Sequence, residues 1–178
     1  MKTISVKDKD FELYISEQEI NQIVCQLAKN ISEDLKEENP LILAVLNGSF
    51  IFVADLVRNL EFDAEISFVK MSSYSGVSST GTVKQLIGLN ESLENRTVLV
   101  VEDIIDSGLS MGMLLEELKK YNPKDVKVCT FLFKPNMFKG SYEVHYVGKS
   151  ISDEFIVGYG LDYDGMGRKY GEIYQLKP

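Results

Sequence analysis

The sequence has no tryptophan, one histidine, two cysteines and four prolines in 178 residues. A single histidine, His145, leaves no room for a His-rich metal site or a Ser–His nucleophile pair, and it reads as a surface or strand residue. Two cysteines cannot build a disulfide framework. Cys25 and Cys129 lie far apart in apolar surroundings and read as buried reduced thiols. No apolar run approaches the roughly 18 residues of a membrane span. The opening stretch MKTISVKDKDFELY carries charges where a secretory signal needs an apolar core, so the expectation is a cytoplasmic protein that meets no membrane. Positive charge is also short: 19 Lys and Arg against 27 Asp and Glu give a net −8. The basic footprint of a nucleic-acid binder is therefore missing. An anionic ligand would have to be held by backbone N–H groups, by a few placed cations or by a metal ion.

What is present is the mix of a globular protein, 44% hydrophobic and 26% charged, long enough for one domain over residues 1–178. Ser16 with Glu19 three residues on forms a capping box. Ile20, Ile23, Val24, Leu27, Ile31 and Leu35 then mark one face of a helix, which Asn39-Pro40 stops. Leu41–Leu46 is an apolar strand, broken at Asn47-Gly48-Ser49. A helix follows with Phe52, Val53, Leu56, Val57 and Leu60. Further strands are expected over Ala64–Met71, Thr97–Val101, Val126–Phe133 and Phe155–Tyr159, with a helix over Met111–Tyr121. Strands apolar throughout and alternating with helices predict an α/β fold, a mostly parallel sheet covered on both faces. In such a sheet ligands bind at the carboxyl ends of the strands.

The composition turns unusual at those ends. After Thr97–Val101 comes Glu102-Asp103-Ile104-Ile105-Asp106-Ser107-Gly108-Leu109-Ser110, with three carboxylates leading into small residues and a helix. Small residues at a helix start let a phosphate reach backbone N–H groups, and serine hydroxyls add donors. The carboxylates suit sugar hydroxyls, a divalent cation or the proton of an attacking nitrogen. Residues 72–82 hold five serines, two threonines and two glycines, a surface loop or a mobile lid. Phe131-Leu132-Phe133-Lys134 ends a strand in a cation, a solvated end or a placed donor. The motifs GxGxxG, GxxxxGKS/T and GxSxG are absent. Asp162, Asp164 and Gly165 do not start an EF-hand, because position twelve is Ile173 and not Glu.

Val-Val-Glu-Asp-Ile-Ile-Asp-Ser-Gly closely resembles the phosphoribosyl-diphosphate (PRPP) motif of the type I phosphoribosyltransferases. The paired acids followed by Ile-Ile-Asp are similar to the hypoxanthine-guanine branch, and the likeness extends from about Ile42 to Tyr163. The resemblance implies a type I phosphoribosyltransferase fold, with a central sheet flanked by helices and a small hood from the terminal segments. It implies a pentosyltransferase of purine salvage, joining PRPP to a 6-oxopurine with Mg2+ and working as a homodimer or homotetramer.

By the same resemblance, Glu102 and Asp103 meet the ribose hydroxyls and Asp106 is the general base for the purine N7 proton. Ile105 and Asp106 through Ser107, Gly108, Leu109 and Ser110 hold the ribose phosphate. Leu109 stands where some members carry lysine, so that cationic help is missing. Leu46, Asn47 and Gly48 would form the pyrophosphate loop with a cis peptide before Asn47, and Arg168 would lie near the pyrophosphate. Many members have lysine at the Asn47 place, which increases reliance on metal. Ser73 and Tyr74 match the lid, Lys134 the residue facing the purine O6, and Phe155 and Ile156 the purine face and edge. Asp162, with Glu102 and Asp103, would serve the metal. Two other readings carry different predictions. A non-catalytic PRPP or nucleotide sensor with this fold would bind without turnover. A receiver-type signalling domain would need an acid pair at the end of Leu41–Leu46, where none stands.

Overall fold

Ser16 opens the first helix as its sequence demands: its Oγ accepts the Glu19 N–H at 3.2 Å. Only half of the capping box forms, because the Glu19 carboxylate turns instead to Lys149, 2.8 Å away. In the computed structural model, which describes residues 2–71 and 86–177, the chain starts with strands β1 (Thr3–Val6) and β2 (Lys9–Ile15). Helix α1 (Glu17–Leu35) follows and buries Ile20, Val24, Leu27, Ala28, Ile31 and Leu35, the face its period predicts. A short 3-10 turn, Lys36–Glu38, and Asn39 at φ +46° lead into Pro40 and strand β3 (Leu41–Val45). Then come α2 (Phe50–Asn59), β4 (Glu65–Met71), β5 (Leu86–Ile87), β6 (Thr97–Ile105), α3 (Leu109–Lys119), β7 (Asp125–Phe133), β8 (Tyr146–Ser150), β9 (Ile156–Val157) and β10 (Ile173–Leu176).

The central sheet runs β5-β4-β3-β6-β7-β8, with β4 to β8 parallel and β5 added antiparallel at one edge. Period-two alternation divides the strands between two cores. Ile42, Ala44, Leu99, Val101, Cys129 and Phe131 pack with α1 and α2. Leu41, Leu43, Val45, Val98, Val100 and Val128 pack with Met111, Leu114 and Leu118 of α3. Helices thus cover both faces, which explains why these strands read as unbroken apolar runs. Removing a side chain such as the fully buried Ile31 costs about 2–5 kcal/mol as alanine, because the site collapses only partly. Strands β1, β2, β10 and β9 form a second, antiparallel sheet over Val6, Phe11, Val157 and Tyr174, the hood expected from the terminal segments. No helix among the described residues is long and apolar enough to cross a membrane.

Three expectations need correction. The strand foreseen over Phe155–Tyr159 is only Ile156–Val157, and it belongs to the hood, paired with Tyr174 and Gln175. It stops because Gly158, Tyr159 and Gly160 all take positive φ. The fifth parallel strand is β8, whose Gly148, Lys149 and Ser150 gave no hydrophobic signal. Gly148 is needed there, since a Cβ would lie 2.5 Å from the Phe131 carbonyl oxygen and 2.8 Å from Ile23. The third correction concerns the thiols. Cys129 is buried, and burial raises its pKa, but Cys25 is exposed on the outer side of α1 beside Asn59. His145 is half-buried and accepts the Val128 N–H through Nδ1, a structural contact at 3.2 Å.

Candidate functional site

The ends of β3, β6 and β7 converge under the hood. At the end of β3 the Leu46–Asn47 peptide is cis, and Ser49 turns its hydroxyl back onto the Val45 carbonyl at 2.5 Å. This folds the loop so that Gly48 lies on the Asp103 carboxylate: a Cβ at Gly48 would come within 1.6 Å of Oδ2. Gly160 of the hood closes on the same loop, since a Cβ there would stand 2.0 Å from the Gly48 carbonyl oxygen. Only residues without side chains allow the β3 loop, β6 and the hood to approach so closely.

Strand β6 runs four residues beyond the expected Val101, because β7 is long enough to partner Glu102, Ile104 and Ile105 through Thr130, Leu132 and Phe133. The paired acids are therefore held by a strand and not by a loop. Both are half-buried. Burial, and then the Asp103 charge, push the Glu102 carboxyl well above the usual range. Burial also raises Asp103, with Arg168 near enough to oppose the rise. Asp103 Oδ1 accepts the Ile104 N–H at 2.9 Å.

Beyond Ile105, which is buried, Asp106 meets Lys134 from the neighbouring strand, Nζ to Oδ1 at 2.9 Å. Lys134 is 7% exposed, and its ammonium is held toward the loop by the Asp106 carboxylate. An ammonium has three N–H donors, and this pair uses one. Gly108, at φ +74°, caps α3. Leu109 is 58% exposed and its N–H donates to the Ser107 hydroxyl at 3.4 Å. Ser110 is exposed in the first turn of α3, where the leading N–H groups have no helical partner and favour an anion.

On the hood side, Phe155 is exposed, edge-on to Tyr163 at 5.7 Å, while Ile156 is buried. Arg168 pairs with Asp162 at 2.7 Å and donates to the Gly160 carbonyl at 2.6 Å. Asp162 Oδ2 accepts the Gly165 N–H at 2.6 Å, so both of its oxygens have partners within the loop. Among the described residues no three His, Cys, Asp or Glu side chains form a ready-made metal cluster. Glu102, Asp103 and Asp162 are therefore not a preformed cage. Ser73 and Tyr74, and the lid over 72–82, lie outside the described residues.

Sequence reasoning did not single out Gly160 or Tyr159. Tyr159, buried at φ +50°, packs its ring 5.1 Å from Phe131 and donates to Asp55 of α2 at 2.8 Å. This ties the hood corner to the sheet. Glycines on both sides of Tyr159 were the available signal, since such a pattern marks tight backbone approach.

Comparison with known proteins agrees with this geometry. The family model for the phosphoribosyl transferase domain matches residues 14–164. A hypoxanthine phosphoribosyltransferase of Buchnera aphidicola is 45% identical over 155 residues, covering 85% of this chain and 88% of that protein. A hypoxanthine-guanine phosphoribosyltransferase of Aquifex aeolicus is 37% identical and covers 97% of this chain and 98% of its own length. Among solved structures, a hypoxanthine phosphoribosyltransferase of Staphylococcus aureus superposes with a TM-score of 0.85 at 34% identity, over 100% of this chain and 98% of that one. With the family model matched over residues 14–164 and relatives this similar over most of their length, the chain belongs to the phosphoribosyltransferase family.

Proposed function

We propose that this chain, as one domain with a hood and a lid, transfers the 5-phosphoribosyl group of PRPP to hypoxanthine or guanine, giving IMP or GMP and pyrophosphate. The observation that carries the reading is Asp106 held by the buried Lys134, between the strand-borne acid pair and the free amides of α3. The relatives' names supply the reaction class.

In the proposed reaction the purine N9 lone pair attacks C1′, the C1′–oxygen bond breaks, and pyrophosphate leaves with the electron pair. Asp106 accepts the N7 proton. Its negative charge also favours the cationic character that develops on the ribosyl carbon. The remaining Lys134 donors suit a 6-oxo group and disfavour the 6-amino group of adenine, itself a donor. Phe155 stacks on the base, and the Ile156 backbone meets its edge. Glu102 and Asp103 take the ribose hydroxyls, residues 107–110 the 5′-phosphate, and Leu46–Gly48 with Arg168 the pyrophosphate.

The donor set is all hard oxygen, and two adjacent half-buried carboxylates with raised pKa values gain from a nearby cation, so these residues fit Mg2+. Asp162 and the acid pair would hold it, one or two carboxylates sharing the ion with substrate oxygens. When bound, Mg2+ neutralises charge on the leaving pyrophosphate. We place the protein in the cytoplasm as a homodimer or homotetramer.

An absorbance assay with PRPP, Mg2+ and each of four purines, with and without chelator, tests the reading. Turnover with hypoxanthine or guanine, lost on chelation, is expected. Preference for adenine would contradict the role given to Lys134, and PRPP binding without product would make the chain a sensor. Asp106→Asn is expected to lower turnover about 100-fold or more, the usual scale of one acid–base group, with a smaller change in the KM for PRPP. Turnover within threefold of the parent would remove Asp106 from the chemistry.

A further inference from the structure

We infer that the segment from Lys134 to Tyr142 is a second wall of the sugar-phosphate site, and that Lys139 supplies that wall's cation. The inference rests on the reading of residues 107–110 as the 5′-phosphate loop. The segment touches four consecutive residues, from the end of β6 at Ile105 to Gly108. The Lys134 N–H donates to the Ile105 carbonyl at 3.0 Å and its Nζ to Asp106 at 2.9 Å. The Lys139 N–H donates to the Ser107 carbonyl at 2.9 Å, and the Tyr142 hydroxyl to the Gly108 carbonyl at 3.0 Å. Phe138 and Tyr142 leave no room at Gly108 for a Cβ, which would lie 2.5 Å from the Phe138 ring. The Ser107 and Gly108 carbonyls are thus occupied by this segment, while the Leu109 N–H has only the long 3.4 Å contact to the Ser107 hydroxyl, which an anion can replace.

The loop itself is short of positive charge. Residues 102–110 contain three carboxylates and no cation, and position 109 is an exposed leucine. The cations around it are mostly taken. Lys134 pairs with Asp106, Arg168 with Asp162, Lys119 with Glu116 and Lys120 with Glu117. Lys139 is exposed, and among the described residues no carboxylate lies within ion-pair distance of it. Its backbone is pinned to Ser107, and it lines a groove of about 720 Å³ that runs from Gly108 and Leu109 past Tyr142 to Glu116, Glu117 and Glu143, the first two of these acids already paired with Lys119 and Lys120. A flexible four-carbon stem anchored there brings a point charge to a phosphate dianion on the loop.

The test compares a ligand carrying the 5′-phosphate with one lacking it. Binding of IMP and of inosine is measured by calorimetry on the full chain, the Lys139→Gln variant and the Lys139→Arg variant, beside the KM for PRPP. Lys139→Gln is expected to weaken IMP about tenfold, or 1.4 kcal/mol, and to raise the KM for PRPP similarly, leaving inosine unchanged. Lys139→Arg is expected to restore IMP to within threefold of the parent. IMP affinity unchanged in Lys139→Gln, or equal losses for IMP and inosine, would overturn the role of Lys139 while parental turnover still upheld the transferase reading. A parental protein that neither turned over nor bound IMP would overturn that reading itself.

Discussion

Gly48→Ala tests whether the β3 loop and the acid pair form one unit. Gly48 does not use the left-handed region, so the added methyl acts by volume alone. It would stand 1.6 Å from Asp103 Oδ2 and 2.6 Å from Cγ, so one partner must retreat by roughly 2 Å to reach ordinary contact. The loop cannot yield easily, because Gly160 presses on the Gly48 carbonyl from above. Asp103 must therefore swing away and lose the 2.9 Å bond from the Ile104 N–H. Overpacking costs about 1–3 kcal/mol and a hydrogen bond to a charged group about 1.5–3 kcal/mol. A net loss of about 3 kcal/mol would lower Tm by about 6–12 °C in a protein of this size. Asp103 would also leave the proposed ribose site, and the KM for PRPP is expected to rise about tenfold or more with little change for the base. Gly165→Ala is the control. Nothing lies within 4 Å of its Cβ, and φ is +84°. It should cost only the left-handed strain, about 1–2 kcal/mol, with the KM for PRPP unmoved. Scanning calorimetry and initial rates read both quantities. A Gly48→Ala protein that melts within about 2 °C of the parent with an unchanged KM for PRPP would refute the contact argument.

Glu102→Gln separates stability from function. The folded protein raises this carboxyl above its usual 4.5, so the fold favours the protonated form. Parental stability is therefore lost as pH climbs from the unfolded value through the folded one. The glutamine variant does not titrate there and should gain in Tm relative to the parent as pH rises past the usual carboxylate range, while binding PRPP more weakly. A variant that falls behind the parent as pH rises would contradict the sign. Tyr159→Phe removes the 2.8 Å bond to Asp55, but Asp55 keeps Arg58 at 2.9 Å. The expected loss is thus about 1 kcal/mol, or about 2–4 °C by calorimetry, and a drop beyond 10 °C would mean the corner depends on more than this bond.

Much of the scaffold could be read from residue order. The α1 face, the Ser16 cap, the apolar runs of β3, β6 and β7, and the Glu102–Ser110 run all depend on neighbours within a few positions. Local stereochemistry and hydrophobic period therefore reveal them. Strand β8 stayed hidden because Gly148 and Lys149 are chosen by a packed helix and an ion pair, not by strand propensity. The true place of Ile156–Val157 stayed hidden for a related reason. Its partner Tyr174 is distant along the chain, and a two-residue strand carries no period.

By itself, the order of residues determined that this chain builds a parallel α/β sheet with acids and small residues at its strand ends. Only tertiary structure decided that Lys134 would grip Asp106, that Gly160 would close on Gly48, and that Lys139 would be pinned beside Ser107. Those pairings join segments far apart in the chain, and the packing of the whole sheet and hood sets their distances, which no local pattern encodes.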